Sequence, residues 1–324
     1  MIPEERAGFR RRRCAMDNPF TLQTALQARL RLTGGKVCAL FVDFRRAFDS
    51  LRHRLLWSKL AHLGVNFKKI RNIKRLYDRA SIQIRTSEGL PDLVNVSECI
   101  LQRKKLSRLF FNLFLSDIVS FFNINGDVEV DVDARTQVPM LLYADDLVIF
   151  ANSPVDLRRK LGVLESYCEE NSLTINIGKT KIMGFRRGGP LPKASHAFAF
   201  NGSPVDIVRS YVYLGVTFSS SSMGSWAAKA AAGKAKAATA SALDILFRIQ
   251  AHTWDGISKL YDSLVASTLL YTSWIWGLRA GELRTLENAQ LFFLKKLPRN
   301  APGYLVRLET GVDNIRCKVL RQAL

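Results

Sequence analysis

The chain has 324 residues and is 48% hydrophobic, enough for two or three packed subdomains. Lys and Arg outnumber Asp and Glu by 48 to 28, giving a net charge of +20. An excess of this size favours a polyanionic partner, nucleic acid first and an anionic membrane surface second. No run of roughly eighteen uncharged apolar residues occurs, so no spanning helix is implied, and nucleic acid with no membrane is the expected partner.

Residues 1–35 hold the basic cluster Arg10–Arg13 with no apolar stretch behind it, which is not a secretory signal. Val37–Phe44 reads as a buried strand ending in Asp43, and an amphipathic helix follows with Leu55, Leu56, Leu60 and Leu63 on its apolar side. Residues 66–80 continue as helix. Ser81–Thr86 alternates, Glu88-Gly89 turns, and Leu93–Ile100 returns as the other arm of a hairpin. Ser107–Phe122 reads as one helix with Leu109, Phe110, Leu113, Phe114 and Ile118 on its apolar face. Residues 138–151 form a hairpin with Asp145 and Asp146 at its tip. Asp156–Asn171 is an amphipathic helix carrying Leu157, Leu161, Leu164 and Cys168, and it leads into a strand over Leu173–Ile177. Residues 196–218 hold short strands. From Trp226 onward the chain is helix-prone, beginning with the Ala-rich stretch Ala227–Ala242. Mixed strands and helices followed by helices alone predict an α+β half and then an all-α half.

The cysteines Cys14, Cys38, Cys99, Cys168 and Cys317 lack paired spacing, so neither a disulfide framework nor a zinc site is indicated and a reducing compartment fits. The four histidines form no metal spacing. The acids are different. Carboxylates at the end of buried strands are costly unless a cation offsets them, and hard divalent cations prefer oxygen ligands. A solvated Asp-Asp turn is the ordinary alternative. A second strand ending in Asp43 changes the balance, because three carboxylates on neighbouring strands can hold two magnesium ions for in-line phosphoryl displacement. Residues 145 and 146 on one strand would point to opposite faces, which makes Asp145 the expected direct ligand and Asp146 the weaker contributor.

Several motifs occur in order: Phe41-Val42-Asp43-Phe44-Arg45-Arg46-Ala47-Phe48-Asp49, Leu101-Gln102, Leu109-Phe110-Phe111-Asn112, Tyr143-Ala144-Asp145-Asp146, Leu173-Thr174-Ile175-Asn176, Lys179-Thr180-Lys181 and Tyr213-Leu214-Gly215. In this order the chain resembles the reverse transcriptase of non-LTR (LINE-type, Jockey-like) retrotransposons. The resemblance implies a right-hand polymerase. Its expected parts are a fingers remnant over 1–35, a palm with inserted fingers elements over 36–190, primer-grip-like strands over 191–222 and a helical thumb over 223–324. It implies Asp43, Asp145 and Asp146 as catalytic metal ligands for two Mg2+ ions, with Mn2+ as a substitute. Phe48 would exclude a 2′-hydroxyl, Gln102 would contact the incoming nucleotide, and Lys179 would lie near the triphosphate. Tyr213, Leu214 and Gly215 would support the primer end. The implied partners are an RNA template, a DNA primer or target and a deoxynucleoside triphosphate. The implied location is intracellular, nucleus or cytoplasm, with action at nuclear DNA; the oligomeric state is left open.

The sequence departs from the family at Leu101-Gln102-Arg103 and at Arg108, where glycine and proline are usual, and at Cys99, where glycine is usual. Arg103 adds bulk where the backbone should approach the nucleotide. Upstream fingers strands and an endonuclease domain are expected in front, and further sequence behind, so Met1 reads as an internal methionine of a longer reading frame. Two function classes stay open at this point: an RNA-directed DNA polymerase, and a catalytically inactive, nucleic-acid-binding relic of one. An intron-maturase-like protein, which shares the palm, is a third and less supported reading.

Overall fold

The structure is a computed structural model that describes residues 14–46, 51–78, 81–82, 94–95, 105–125, 130–131, 137–186, 198–220, 224–250, 253–296 and 302–324. The chain divides into two compact units. One comprises residues 1–18 and 24–208, the other residues 19–23 and 209–324.

In the first unit α1 (Asp17–Arg31) precedes β1 (Lys36–Asp43), α2 (His53–His62) and α3 (Phe67–Asp78). A short ladder of β2 (Ser81–Ile82) and β3 (Val94–Asn95) follows, antiparallel with Ser81 opposite Asn95. Next come α4 (Lys105–Phe114), α5 (Ile118–Ile124) and the pair β4 (Val130–Asp131) and β5 (Gln137–Val138). The hairpin β6 (Met140–Tyr143) and β7 (Asp146–Ala151) leads through α6 (Pro154–Glu170) to β8 (Lys181–Arg186), then β9 (Ala199–Phe200), β10 (Ser203–Pro204) and β11 (Asp206–Ile207).

Five strands form the central sheet in the order β11-β8-β1-β7-β6. β1 lies between β7 and β8, antiparallel to both, while β11 runs parallel to β8. Strands with both neighbours filled and both faces covered read as continuous apolar runs rather than alternating ones, which is why Val37–Val42 and Leu147–Ala151 look uniformly hydrophobic. Leu40, Val42, Leu147 and Ile149 pack into one core with Phe110, Phe111, Phe114, Leu157, Leu161 and Leu164 from the helices. Ala39, Phe41, Val148 and Met183, which alternate with these along their strands, are buried as well.

The start of α6 follows from its sequence. The Ser153 side chain accepts from the Asp156 amide at 3.1 Å, and Pro154 occupies the first turn, where its missing N–H is no loss. Farther along the helix, Lys160 is fully buried and donates to the Phe150 carbonyl on β7 at 2.7 Å.

Two expectations are corrected here. The single helix expected over residues 107–122 is two helices separated by a turn at Leu115–Asp117. The break is stabilised by polar contacts: the Ser116 hydroxyl donates to the Leu113 carbonyl at 2.6 Å, and Asp117 accepts from Lys59 and from the Tyr167 hydroxyl, each at 2.7 Å. The buried face is also rotated, with Phe111 in the core and Leu109 exposed. The strand expected over Leu173–Ile177 is an irregular segment with one bridge, Ile175 to Phe44. A strand there would need a longer ladder, and only the end of β1 is available to it.

The second unit opens with the hairpin β12 (Ser210–Tyr213) and β13 (Val216–Ser219). The rest is helical: α7 (Ser225–Arg248), α8 (Trp254–Leu260), a π-helical turn over Tyr261–Ala266, α9 (Ser267–Leu270), α10 (Ser273–Trp276), α11 (Ala280–Leu294), α12 (Gly303–Thr310) and α13 (Ile315–Ala323). The buried face of α7 is nearly all alanine (Ala227, Ala228, Ala231, Ala232, Ala235 and Ala242), so the helices beside it, chiefly α11 and the π-helical turn, approach closely. No helix among the described residues is long and apolar enough to cross a membrane.

Candidate active site

Asp43 is the last residue of β1, and the antiparallel register sets it directly opposite Asp146, the first residue of β7. Directly opposed residues in a ladder have Cβ atoms about 5 Å apart on one face of the sheet. Asp146 also pairs with Tyr143 across the β6–β7 hairpin, leaving Ala144 and Asp145 as a two-residue turn. Ala144 has φ +55° and is buried, so backbone strain is held immediately before Asp145. Asp145 therefore lies in the turn rather than on the strand, and strand alternation does not rank it against Asp146.

The segment after α6 fixes the end of β1. The Asn176 amide donates to the Asp43 carbonyl at 2.8 Å, and the Arg45 amide donates to the Thr174 carbonyl at 2.7 Å. The Asp43 amide donates to the hydroxyl of Thr180, which is buried, at 3.3 Å. With its backbone held on both sides, Asp43 presents its side chain at the sheet end. Thr180 and Asn176 belong to motifs visible in the sequence, but their backbone-anchoring part was not.

The electrostatics are those of a site short of positive charge. Burial pushes the Asp145 carboxyl above its ordinary range; its backbone hydrogen bond opposes this, and the Asp43 charge adds to it. Asp146 is pushed up to about 6, first by burial and then by the charges of Asp145 and Asp43. Lys179 opposes both shifts, and its Nζ lies 3.8 Å from Asp43 Oδ1 on an exposed side chain.

Asp145 and Asp146, whose burial disfavours their charged forms beside the charge of Asp43, make with it a donor set that suits a hard divalent ion in charge and donor chemistry. Among the described residues no three His, Cys, Asp or Glu side chains already converge as a coordination shell. Lys179 stands beside the carboxylates as their compensating cation. Phe48 and Gln102, expected to contact the nucleotide, lie outside the described residues, as does Arg103.

Tyr213, Leu214 and Gly215 fall in the second unit, at the turn of the β12–β13 hairpin. Tyr213 pairs with Val216, and Leu214 and Gly215 take φ +45° and +84°, as tight hairpins favour. Sequence reasoning, in which Leu269-Leu270-Tyr271 resembles the thumb region of the family, gave no role to their neighbour Tyr271. Its hydroxyl donates to the Leu214 carbonyl at 2.9 Å, and a Cβ added at Gly215 would meet the Tyr271 ring at 2.8 Å. Tyr271 ends α9, the short helix that follows the π-helical turn, and periodicity does not report such an irregularity.

A sheet carrying these acids at its end, followed by a helical unit, belongs to the right-hand polymerase fold. The telomerase of Candida albicans, solved with a fragment of telomeric RNA, aligns with a TM-score of 0.51 and 12% identity, covering 92% of this chain and 52% of that one. Curated relatives include the Pol polyprotein of the type-1 retrotransposable element R2 of Popillia japonica, 23% identical over 59% of this chain and 32% of that protein. A putative transposon-derived protein of Caenorhabditis elegans is 32% identical over 42% of this chain and 48% of that protein. The chain thus spans less than half the length of these relatives. The reverse transcriptase (RNA-dependent DNA polymerase) family matches residues 1–218, and the chain belongs to it. The retrotransposon likeness expected from the motifs agrees with these relatives' names. The family generally uses divalent metal ions.

Proposed function

We propose that this chain is the catalytic part of an RNA-directed DNA polymerase of a non-LTR retrotransposon. The observation that carries the reading is the register pairing of Asp43 with Asp146 beside Asp145. In the proposed reaction the oxygen of a DNA primer 3′-hydroxyl bonds to the α-phosphorus of a deoxynucleotide. The bond from that phosphorus to the bridging oxygen breaks, and pyrophosphate leaves. Divalent cations, two Mg2+ or Mn2+ in their place, supply Lewis-acid stabilisation of the attacking and leaving oxygens when bound. Asp43, Asp145 and Asp146 would hold them.

Lys179 pairs with Asp43 in the absence of other cations. In this reading it contributes positive charge to the triphosphate and a proton to the departing pyrophosphate. Phe48 beneath the sugar and Gln102 at the incoming nucleotide complete the proposed substrate contacts. The Tyr213–Gly215 turn supports the primer end, and the RNA template supplies sequence. In domain terms residues 1–35 correspond to fingers, 36–190 to the palm, 191–222 to the primer-grip strands and 223–324 to the thumb. The setting is intracellular, with nuclear DNA as the target.

Primer extension on an RNA template tests the reading. Extension by the wild type and none by Asp145→Ala is expected. Extension that survives this substitution sinks the mechanism. Salt-sensitive nucleic-acid binding with no wild-type extension would instead favour the relic, and would direct attention to Arg103 and Arg108.

A further inference from the structure

From the helical hairpin of α2 and α3 we infer a binding groove for single-stranded RNA, separate from the carboxylate site. A cavity of about 850 Å³ opens between these helices, with Arg52 and Arg54 on one side and Arg71 and Lys74 on the other. All four cations are exposed. None forms an ion pair with a carboxylate of the described residues, whereas Lys59, Lys181, Arg307, Lys318 and Arg321 each do. The single acid of the lining is Asp78. The whole of α3 carries five cations, Lys68, Lys69, Arg71, Lys74 and Arg75, against that one acid.

Aromatic side chains stand among the cations. Phe67 lines the groove and is 76% exposed, an unusual state for a phenyl ring that packing could have covered. Trp57 lines it from α2, and its indole is held by rings around it: His53 at 5.8 Å, Tyr77 at 5.9 Å and Phe110 at 6.3 Å between centroids. Guanidinium and ammonium groups without a carboxylate partner among the described residues, interleaved with the open ring of Phe67 and the half-buried indole of Trp57, match a phosphodiester strand whose bases are unstacked. A duplex offers phosphates to the cations but keeps its bases stacked away from Phe67. The choice of RNA rests on the reverse transcriptase reading, since the single strand such an enzyme meets is its template; the groove itself rests on the geometry above.

The test is fluorescence anisotropy of the full chain with a ten-nucleotide uridine homopolymer, without primer, nucleotide or divalent metal, between 50 and 200 mM salt. The variants are the charge-removed form Arg52→Gln, Arg54→Gln, Arg71→Gln, Lys74→Gln and, separately, Phe67→Ala. All five side chains are solvent-exposed, so unchanged melting curves are expected. With each phosphate contact contributing about 0.7 to the salt slope, loss of four makes the slope shallower by about 3. Phe67→Ala weakens binding roughly tenfold, in keeping with one lost stacked base. Asp145→Ala, which is expected to abolish extension, binds like the wild type, so failure of the polymerase reading and failure of the groove are told apart. Unchanged affinity and slope in the charge-removed form overturns the inference. So does an equal loss on a blunt RNA duplex, or a Phe67→Ala variant that binds at full strength.

Discussion

Asp43 and Asp146 face each other across the β1–β7 ladder, with the like charge of Asp145 in the adjoining turn. Two strands separated by about a hundred residues in sequence thus end in acids at the same point of one sheet. Burial first, and then the charges of Asp145 and Asp43, raise the affinity of Asp146 for a proton.

That raised affinity makes stability depend on pH. The folded Asp146 carboxyl titrates near 6 against an ordinary value of 3.8, so the native state binds the proton more tightly than the unfolded one. Above pH 6 the folded carboxylate is ionised and its penalty is fully present; it is relieved as pH falls through 6 and gone below 3.8. Asp146→Asn is therefore expected to melt higher than the wild type at pH 7 without metal, by on the order of 1 kcal/mol after solvent screening. The difference vanishes near pH 4. Magnesium raises the melting temperature of the wild type but not of Asp146→Asn, because only the wild type keeps the full carboxylate set. Differential scanning fluorimetry over this pH range, with EDTA or magnesium, reads both effects.

The turn at Leu214-Gly215 leans on Tyr271. Tyr271→Phe removes one hydrogen bond and leaves the Leu214 carbonyl to solvent, an expected loss of about 1 kcal/mol. Gly215→Ala is more severe, about 2 kcal/mol or more, because a side chain is strained at φ +84° and also collides with the Tyr271 ring. Chemical denaturation of the full chain ranks the two. If the turn supports a primer end, both variants extend primers more slowly at matched folded fraction.

In the helical unit Glu287 is a hub. It accepts from Arg307 at 2.7 Å and from Asn314 at 3.1 Å, and it pairs with Arg316, joining α11 to α12 and α13. Burial opposes its ionisation, but the hydrogen bond from Arg307 and the charges of Arg316 and Arg307 prevail and hold its carboxyl below the ordinary 4.5. Its stabilising contribution is thus complete above pH 4.5 and is lost as pH falls through the lowered value. Glu287→Ala strands two arginines and is expected to destabilise by roughly 3 kcal/mol. A melting temperature within a degree of the wild type at pH 7 would contradict this.

Lys160 is the one fully buried cation among the described residues. It donates to the Phe150 carbonyl and lies 3.9 Å from Asp156. Asp156 has other donors, the Asn152 amide and Arg159, so the carbonyl is the group left wanting when the lysine goes. Lys160→Met keeps the stem volume and is expected to cost about 1–3 kcal/mol. Urea denaturation measures it.

Sequence patterns located the acids and most of the elements around them. Strands buried on both faces, the apolar spacing of α6, and the alanine helix are all short-range features, readable within a few residues. The break between α4 and α5 was not readable, because Asp117 is drawn to Lys59 and Tyr167, which lie 58 and 50 residues away on α2 and α6. Lys160 carried no signal either: in an amphipathic helix a lysine reads as solvent-facing until the strand beneath it is placed.

By itself the sequence determined which carboxylates, which strands and which polymerase-like motif order this protein carries, since those are local patterns of residue type. Only the tertiary structure decided that Asp146 rather than Asp145 stands opposite Asp43, that Lys179 is their cation, and that Tyr271 covers the Leu214-Gly215 turn. Register, ion pairing and steric cover depend on backbone atoms brought together from distant parts of the chain, and no local pattern encodes them.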